Sequence, residues 1–194
     1  MVDPWSYPYQ MDKRFLRAFL TPSRINVEGY TLYPWCLKYR IWLEGIDSPL
    51  MRQDVPITVP DLVIALQVCS ETGVGRLGWR ERWLGLMLTL FPRRFEQACR
   101  VFIAYSQNQD AWPKFYEKKE AQGGPSAAMP WELAVICNLV SHGVSYPDAM
   151  QMPETRAIWL STAFAINDGG DLHLLTTDDE ALIDSLSNVE PKTT

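Results

Sequence analysis

Histidine is almost missing from this 194-residue chain, with only His142 and His173 present. That scarcity excludes the histidine-rich metal centres and leaves little for imidazole-based acid–base work. Cysteine is scarce as well. Cys36, Cys69, Cys99 and Cys137 lie 33, 30 and 38 residues apart, with no Cys-x-x-Cys pair. The spacing excludes a zinc-finger ligand set and a disulfide scaffold, and in mostly apolar surroundings it predicts four buried, reduced thiols. With no secretory leader expected ahead of Met1, the reading is a cytosolic protein. Long apolar runs are missing too. The longest, Trp83 to Phe91, has nine residues and includes Gly85 and Thr89, against the roughly 20 needed to span a bilayer. No membrane segment is expected.

Basic residues are nearly absent from one half. Residues 123–194 hold only Arg156 and Lys192 against ten acids, a charge of −8, whereas residues 1–122 carry +3; the chain total is −5. Such asymmetry predicts two modules, the second repelling phosphate backbones and suited to basic protein surfaces. Hydrophobic residues still make up 47% of the chain, so a packed core is expected rather than disorder.

The chain begins with MVDPWSYPYQ, in which Pro4 and Pro8 alternate with Trp5, Tyr7 and Tyr9. This composition predicts an extended aromatic arm over residues 1–10. Phe15, Leu16, Phe19 and Leu20 then mark a short amphipathic helix. A second follows from Trp35, Tyr39, Trp42 and Ile46, at i, i+4, i+7 and i+11. Thr58 and Asp61 form a capping pair ahead of a third. Trp79, Trp83, Leu86 and Leu90 repeat the same spacing in a fourth, and Phe95, Cys99 and Phe102 define a fifth.

Periodicity fails over residues 106–128, a polar stretch with Gly123, Gly124 and Pro125, which reads as a linker. Trp131 to Val140 is apolar almost all round and predicts a buried helix ending at His142 and Gly143. Ser145 with Asp148 opens a short helix, and Pro153-Glu154 opens a longer one that Gly169 and Gly170 stop. Thr177 to Glu180 caps a last helix. No strand is evident. The expected architecture is all-α, about eight short helices in two modules, residues 11–105 and the acidic 129–188, joined by the linker and followed by a 189–194 tail.

Several groupings bear on chemistry. Gly73-Val74-Gly75-Arg76-Leu77-Gly78 matches the dinucleotide fingerprint literally, but the flanking pattern offers helices where that motif needs strands, so it reads as an interhelical turn. Asp168, Asp171 and His173 fall within six residues and could hold a divalent cation, yet no further ligand spacing accompanies them, and no cofactor is expected. No serine elbow exists for nucleophilic catalysis. Arg76, Arg80, Arg82, Arg93, Arg94 and Arg100 surround Trp79 and Trp83, but the +3 balance disfavours nucleic acid, and the two tryptophans read as core beside solvated arginines. Aromatic residues outside the helices, Trp5, Tyr7, Tyr9, Trp112 and Tyr116, are left as candidates for partner contact.

Two segments add a resemblance: LYPWCLKYRIWLEGIDSPL, residues 32–50, and residues 130–186 with SYPDAMQMPETRAIWL at their centre. They resemble small α-helical proteins from the tail gene clusters of tailed bacteriophages and prophages, including tail assembly chaperones. The resemblance implies a non-catalytic morphogenesis protein of the host cytoplasm that binds the tape measure protein or tail subunits. It carries no residue-level motif and so assigns no functional residue. The alternatives are a structural component of the head–tail junction, and a small metal-dependent enzyme built on Asp168, Asp171 and His173.

Overall fold

The computed structural model describes residues 13–20, 24–52, 54–70, 78–107, 111–116, 129–170, 173–175, 179, 182–183 and 185. The aromatic arm, with Trp5, Tyr7 and Tyr9, lies outside them, as do most of the expected linker and the tail. Eight α-helices are found among the described residues: α1 (Lys13–Leu20), α2 (Leu37–Gly45), α3 (Val59–Val68), α4 (Trp79–Leu90), α5 (Pro92–Ser106), α6 (Trp131–Ser141), α7 (Tyr146–Gln151) and α8 (Glu154–Asn167). Of the expected last helix, the described residues Asp179, Leu182, Ile183 and Ser185 are helical.

The fold is mainly α rather than strictly all-α. Strands β1 (Ile25–Val27) and β2 (Tyr30–Leu32) form an antiparallel hairpin, with Val27 opposite Tyr30. Its turn residues, Glu28 and Gly29, both have positive φ, 51° and 80°, the type I′ geometry that matches strand twist. Val27, Tyr30 and Leu32 are buried while Asn26 and Thr31 are exposed. This is a period of two in segments of only three residues each. A second antiparallel pair joins β3 (Phe115–Tyr116) to β4 (His173–Leu174).

Helix ends follow their caps. Thr58 and Asp61 close a reciprocal box at α3, the Ser145 hydroxyl accepts from the Asp148 N–H at α7, and Gly143 and Gly169 take φ of 89° just past α6 and α8. Each satisfies backbone groups that a helix end otherwise leaves orphaned.

Two cores result. The larger gathers β1, β2, α3, α5 and the inner side of α4 around Leu32, Leu43, Leu62, Leu66, Leu88 and Phe102. The smaller holds Leu37, Ile136, Leu139, Ala149 and Ala157, with Ile41 packed against it. Helix α2 therefore serves both cores, placing Leu43 in one and Leu37 in the other. Within the smaller core, Asn138 bonds Ser161 and His142 meets Asp168, so α6 and α8 lie side by side and run in the same direction.

Elements from either side of residues 106–128 meet directly. The Glu154 carboxylate accepts from Trp35 Nε1 at 2.9 Å and from Arg40 Nε and Nη2 at 2.7 and 2.9 Å, while its backbone N–H donates to the Trp35 carbonyl. Burial pushes the Glu154 carboxyl up, and Arg40 and Trp35 pull it back. Phe15 of α1 packs edge-on against Trp159 of α8, and Arg156 donates to the Phe19 carbonyl. Residues 111–116, inside the stretch expected as linker, are packed as well. Ala111 and Pro113 are buried, and the Ala111 carbonyl accepts from Trp159 Nε1 at 2.7 Å.

Cys36, Cys69 and Cys99 are buried as expected, but Cys137 is exposed. Helix α6 is in fact not buried all round. Leu133, Cys137 and Val140 face solvent, while α7, α8 and part of α2 pack on the side that carries Ile136 and Leu139.

Candidate functional site

Helix α4 carries the feature that most departs from its sequence pattern. Trp79, Trp83, Leu86 and Leu90, expected in the core, are 82%, 56%, 49% and 58% exposed, and Phe91 follows at 53%. Leu84 and Leu88 are buried instead. At about 100° per residue, these two sets occupy nearly opposite sides of the helix.

The rotation of α4 is set by the hairpin. Tyr30 donates its hydroxyl proton to Glu81 Oε1 at 2.8 Å, and Arg80 lies over the Tyr30 ring and donates to the Gly29 carbonyl at 2.6 Å. Glu81 also accepts from the Gly78 N–H at 2.8 Å, closing the first turn of α4. The phenol, buried and bonded to a carboxylate, is pushed up to about 12, and the same bond holds the Glu81 carboxyl below its usual range. Glu28, held in its positive-φ turn, grips Arg94 of α5 through both carboxylate oxygens. With positions 80 and 81 turned to the hairpin and 84 and 88 to the core, the stripe from 79 to 90 is left pointing at solvent. Burying it by rotation would break these polar contacts.

Beside the stripe, between α3 and α4, runs a groove of about 230 Å³ with Val59, Val63 and Ile64 on one side and Glu81, Arg82, Gly85 and Thr89 on the other. Gly85 keeps it open: a Cβ there would stand 4.0 Å from Val59 Cγ1. Large apolar and aromatic side chains, a recess and flanking arginines are the composition of a protein-binding patch.

The chemical candidates are placed differently. Asp168 is exposed and pairs with His142, Asp171 lies outside the described residues, and His173 belongs to β4 with its side chain outside them. Among the described residues no group of three or more His, Cys, Asp or Glu could hold a metal ion. His142 stacks on Phe164 and places Nδ1 2.8 Å from the Asn138 carbonyl and Nε2 3.1 Å from an Asp168 oxygen. A carbonyl only accepts, so Nδ1 carries a proton and cannot serve as base to Ser141, whose hydroxyl lies 3.2 Å away and itself donates to Asn138. The ring caps the C-termini of α6 and α8, and the Asn138 carbonyl raises its pKa, with Asp168 adding to the effect.

A second cavity, about 490 Å³, is lined in part by Tyr33, Cys36, Tyr39 and Ser70. Burial pushes the Cys36 thiol up to about 11, which leaves it a poor nucleophile at neutral pH. Of the glycine fingerprint only Gly78 is described, and the segment before it is helix α3 rather than a strand. Trp112 is half-buried against Trp131, with ring centroids 5.5 Å apart. Tyr116 lies in β3, its side chain outside the described residues.

Sequence reasoning found the α4 residues and assigned them to the wrong side. The available signal was that α4 carries two apolar sets, Leu84/Leu88 and Trp79/Trp83/Leu86/Leu90, of which a single-sided helix needs one. No described helix is long and apolar enough to cross a membrane. Comparison with protein-family models, with curated proteins and with solved structures gives no match for this chain.

Proposed function

We propose that this protein acts by protein–protein contact, without catalysis, and that the outer face of α4 is its docking surface. The observation that carries the proposal is the row of four large apolar side chains exposed along three turns of a helix whose rotation is held by Tyr30, Arg80 and Glu81. Exposing such a row costs solubility with no return in folding, which marks it as contact area. The resemblance to tail-cluster proteins supplies the setting: a tail assembly chaperone-like factor of the host cytoplasm that holds the tape measure protein or tail subunits before they assemble.

The test is co-purification with the tail components encoded beside it, for the wild-type chain and for Leu86→Asp/Leu90→Asp. The wild type retains at least one component and the double variant, still folded by circular dichroism, loses it. Retention by both removes the α4 face from the function. Failure of the wild type to bind any component, with tails forming normally in its absence, removes the assembly role.

A further inference from the structure

The charge around the α4 face is mostly positive, with the Glu81 carboxylate at the edge of the groove. Arg82 and Arg93 make no ion pair with a carboxylate among the described residues, and Arg80 is spent on the Gly29 carbonyl and the Tyr30 ring. The one acid on α4, Glu81, is held by Tyr30 and the Gly78 N–H. Arg80 and Arg82 flank the stripe at its start, and Arg93 stands just beyond its end. The apolar row runs from i to i+11, about 16 Å at 1.5 Å per residue, and the α3–α4 groove lies along one edge.

We infer that this face receives an acidic amphipathic helix from the partner, its apolar side on Trp83, Leu86 and Leu90, one large side chain in the groove beside Gly85, and its carboxylates on Arg82 and Arg93. This rests on the docking role proposed above and specifies the partner's chemistry. Three turns of exposed apolar surface match three turns of an incoming helix read at i, i+4 and i+7. Unpaired arginines at the margin select carboxylates and repel basic segments. The recess argues for a side chain rather than a lipid surface, since a bilayer would cover the stripe and leave the space between Val59, Val63 and Gly85 unfilled.

Two labelled synthetic peptides of about 15 residues, long enough for helix to form on contact, test this by fluorescence anisotropy. Both carry leucine at the same helical positions; one has glutamate at the others, the second lysine. The glutamate peptide is expected to bind the wild-type protein about tenfold or more tightly than the lysine peptide, with affinity falling as salt rises. Leu86→Asp/Leu90→Asp abolishes binding, and Arg82→Glu/Arg93→Glu reverses the preference. Equal affinity for both peptides overturns the acidic partner while leaving the docking role intact. Binding of neither peptide, with Leu86-dependent attachment to anionic phospholipid vesicles, makes the face a lipid contact. Leu86-dependent self-association in sedimentation makes it an interface between copies. Each of these last two outcomes overturns the inference, whereas failure of the docking role itself appears separately, as co-purification indifferent to the double variant.

Discussion

Helices α2 and α4 share one pattern and end differently. Trp35, Tyr39, Trp42 and Ile46 have the spacing of Trp79, Trp83, Leu86 and Leu90, yet Trp35 is buried and bonded through Nε1 to Glu154 while Trp79 is among the most exposed large side chains described. The first row is itself split, since Trp35 precedes α2 and Ile46 follows it, Trp42 and Ile46 face solvent, and Leu37 and Leu43 fill the cores. Apolar spacing therefore establishes that a helix forms, and distant polar anchors decide which side it buries. For α2 the anchor is Arg40 on Glu154; for α4 it is Glu81 on Tyr30.

The contrast can be broken at its anchors. Glu154→Ala leaves the Arg40 charge and the Trp35 N–H without their buried partner, and should cost about 3–5 kcal/mol in urea unfolding. Next in size, the rotation of α4 is read by paired truncations. Leu88→Ala should cost about 2–4 kcal/mol and Leu90→Ala no more than about 0.5 kcal/mol; equal costs would mean that the outer face is packed. Tyr30→Phe removes one hydrogen bond and should cost about 1 kcal/mol, with α4 held afterwards by Leu84 and Leu88.

The smallest effect concerns the C-termini of α6 and α8. The folded pKa of His142 is raised above its ordinary 6.5 by the Asn138 carbonyl, with Asp168 adding to it. Its contribution to stability is therefore full below about pH 6.5 and fades as pH rises through the higher folded value. His142→Gln should flatten the melting-temperature profile across that window. An unchanged profile would show that the pair carries no linkage.

Much of the helical scaffold was legible because its signals are local. Thr58 with Asp61, Ser145 with Asp148, and Gly143 each act within a few residues, and each marks the helix end it caps. The hairpin was local too, with Ile25-Asn-Val27 and Tyr30-Thr-Leu32 alternating about Glu28-Gly29, but three-residue strands are shorter than the runs from which period two is ordinarily read. The docking face was hidden for another reason. Its orientation follows from Tyr30 meeting Glu81, 51 residues apart, and no pattern along one chain pairs residues at that range. For the same reason, a boundary drawn through the polar residues 106–128 gives no hint that α1 packs on α8 or that Arg40 binds Glu154.

That last bond also orders events in time. Arg40 and Glu154 are 114 residues apart, so on a ribosome adding about 5–20 residues each second the guanidinium waits on the order of ten seconds for its carboxylate to be made. Until then Leu37 and Ile41 have no smaller core to enter. A nascent chain halted near residue 107 would hold the hairpin, α3, α4 and α5, with one side of α2 still uncovered.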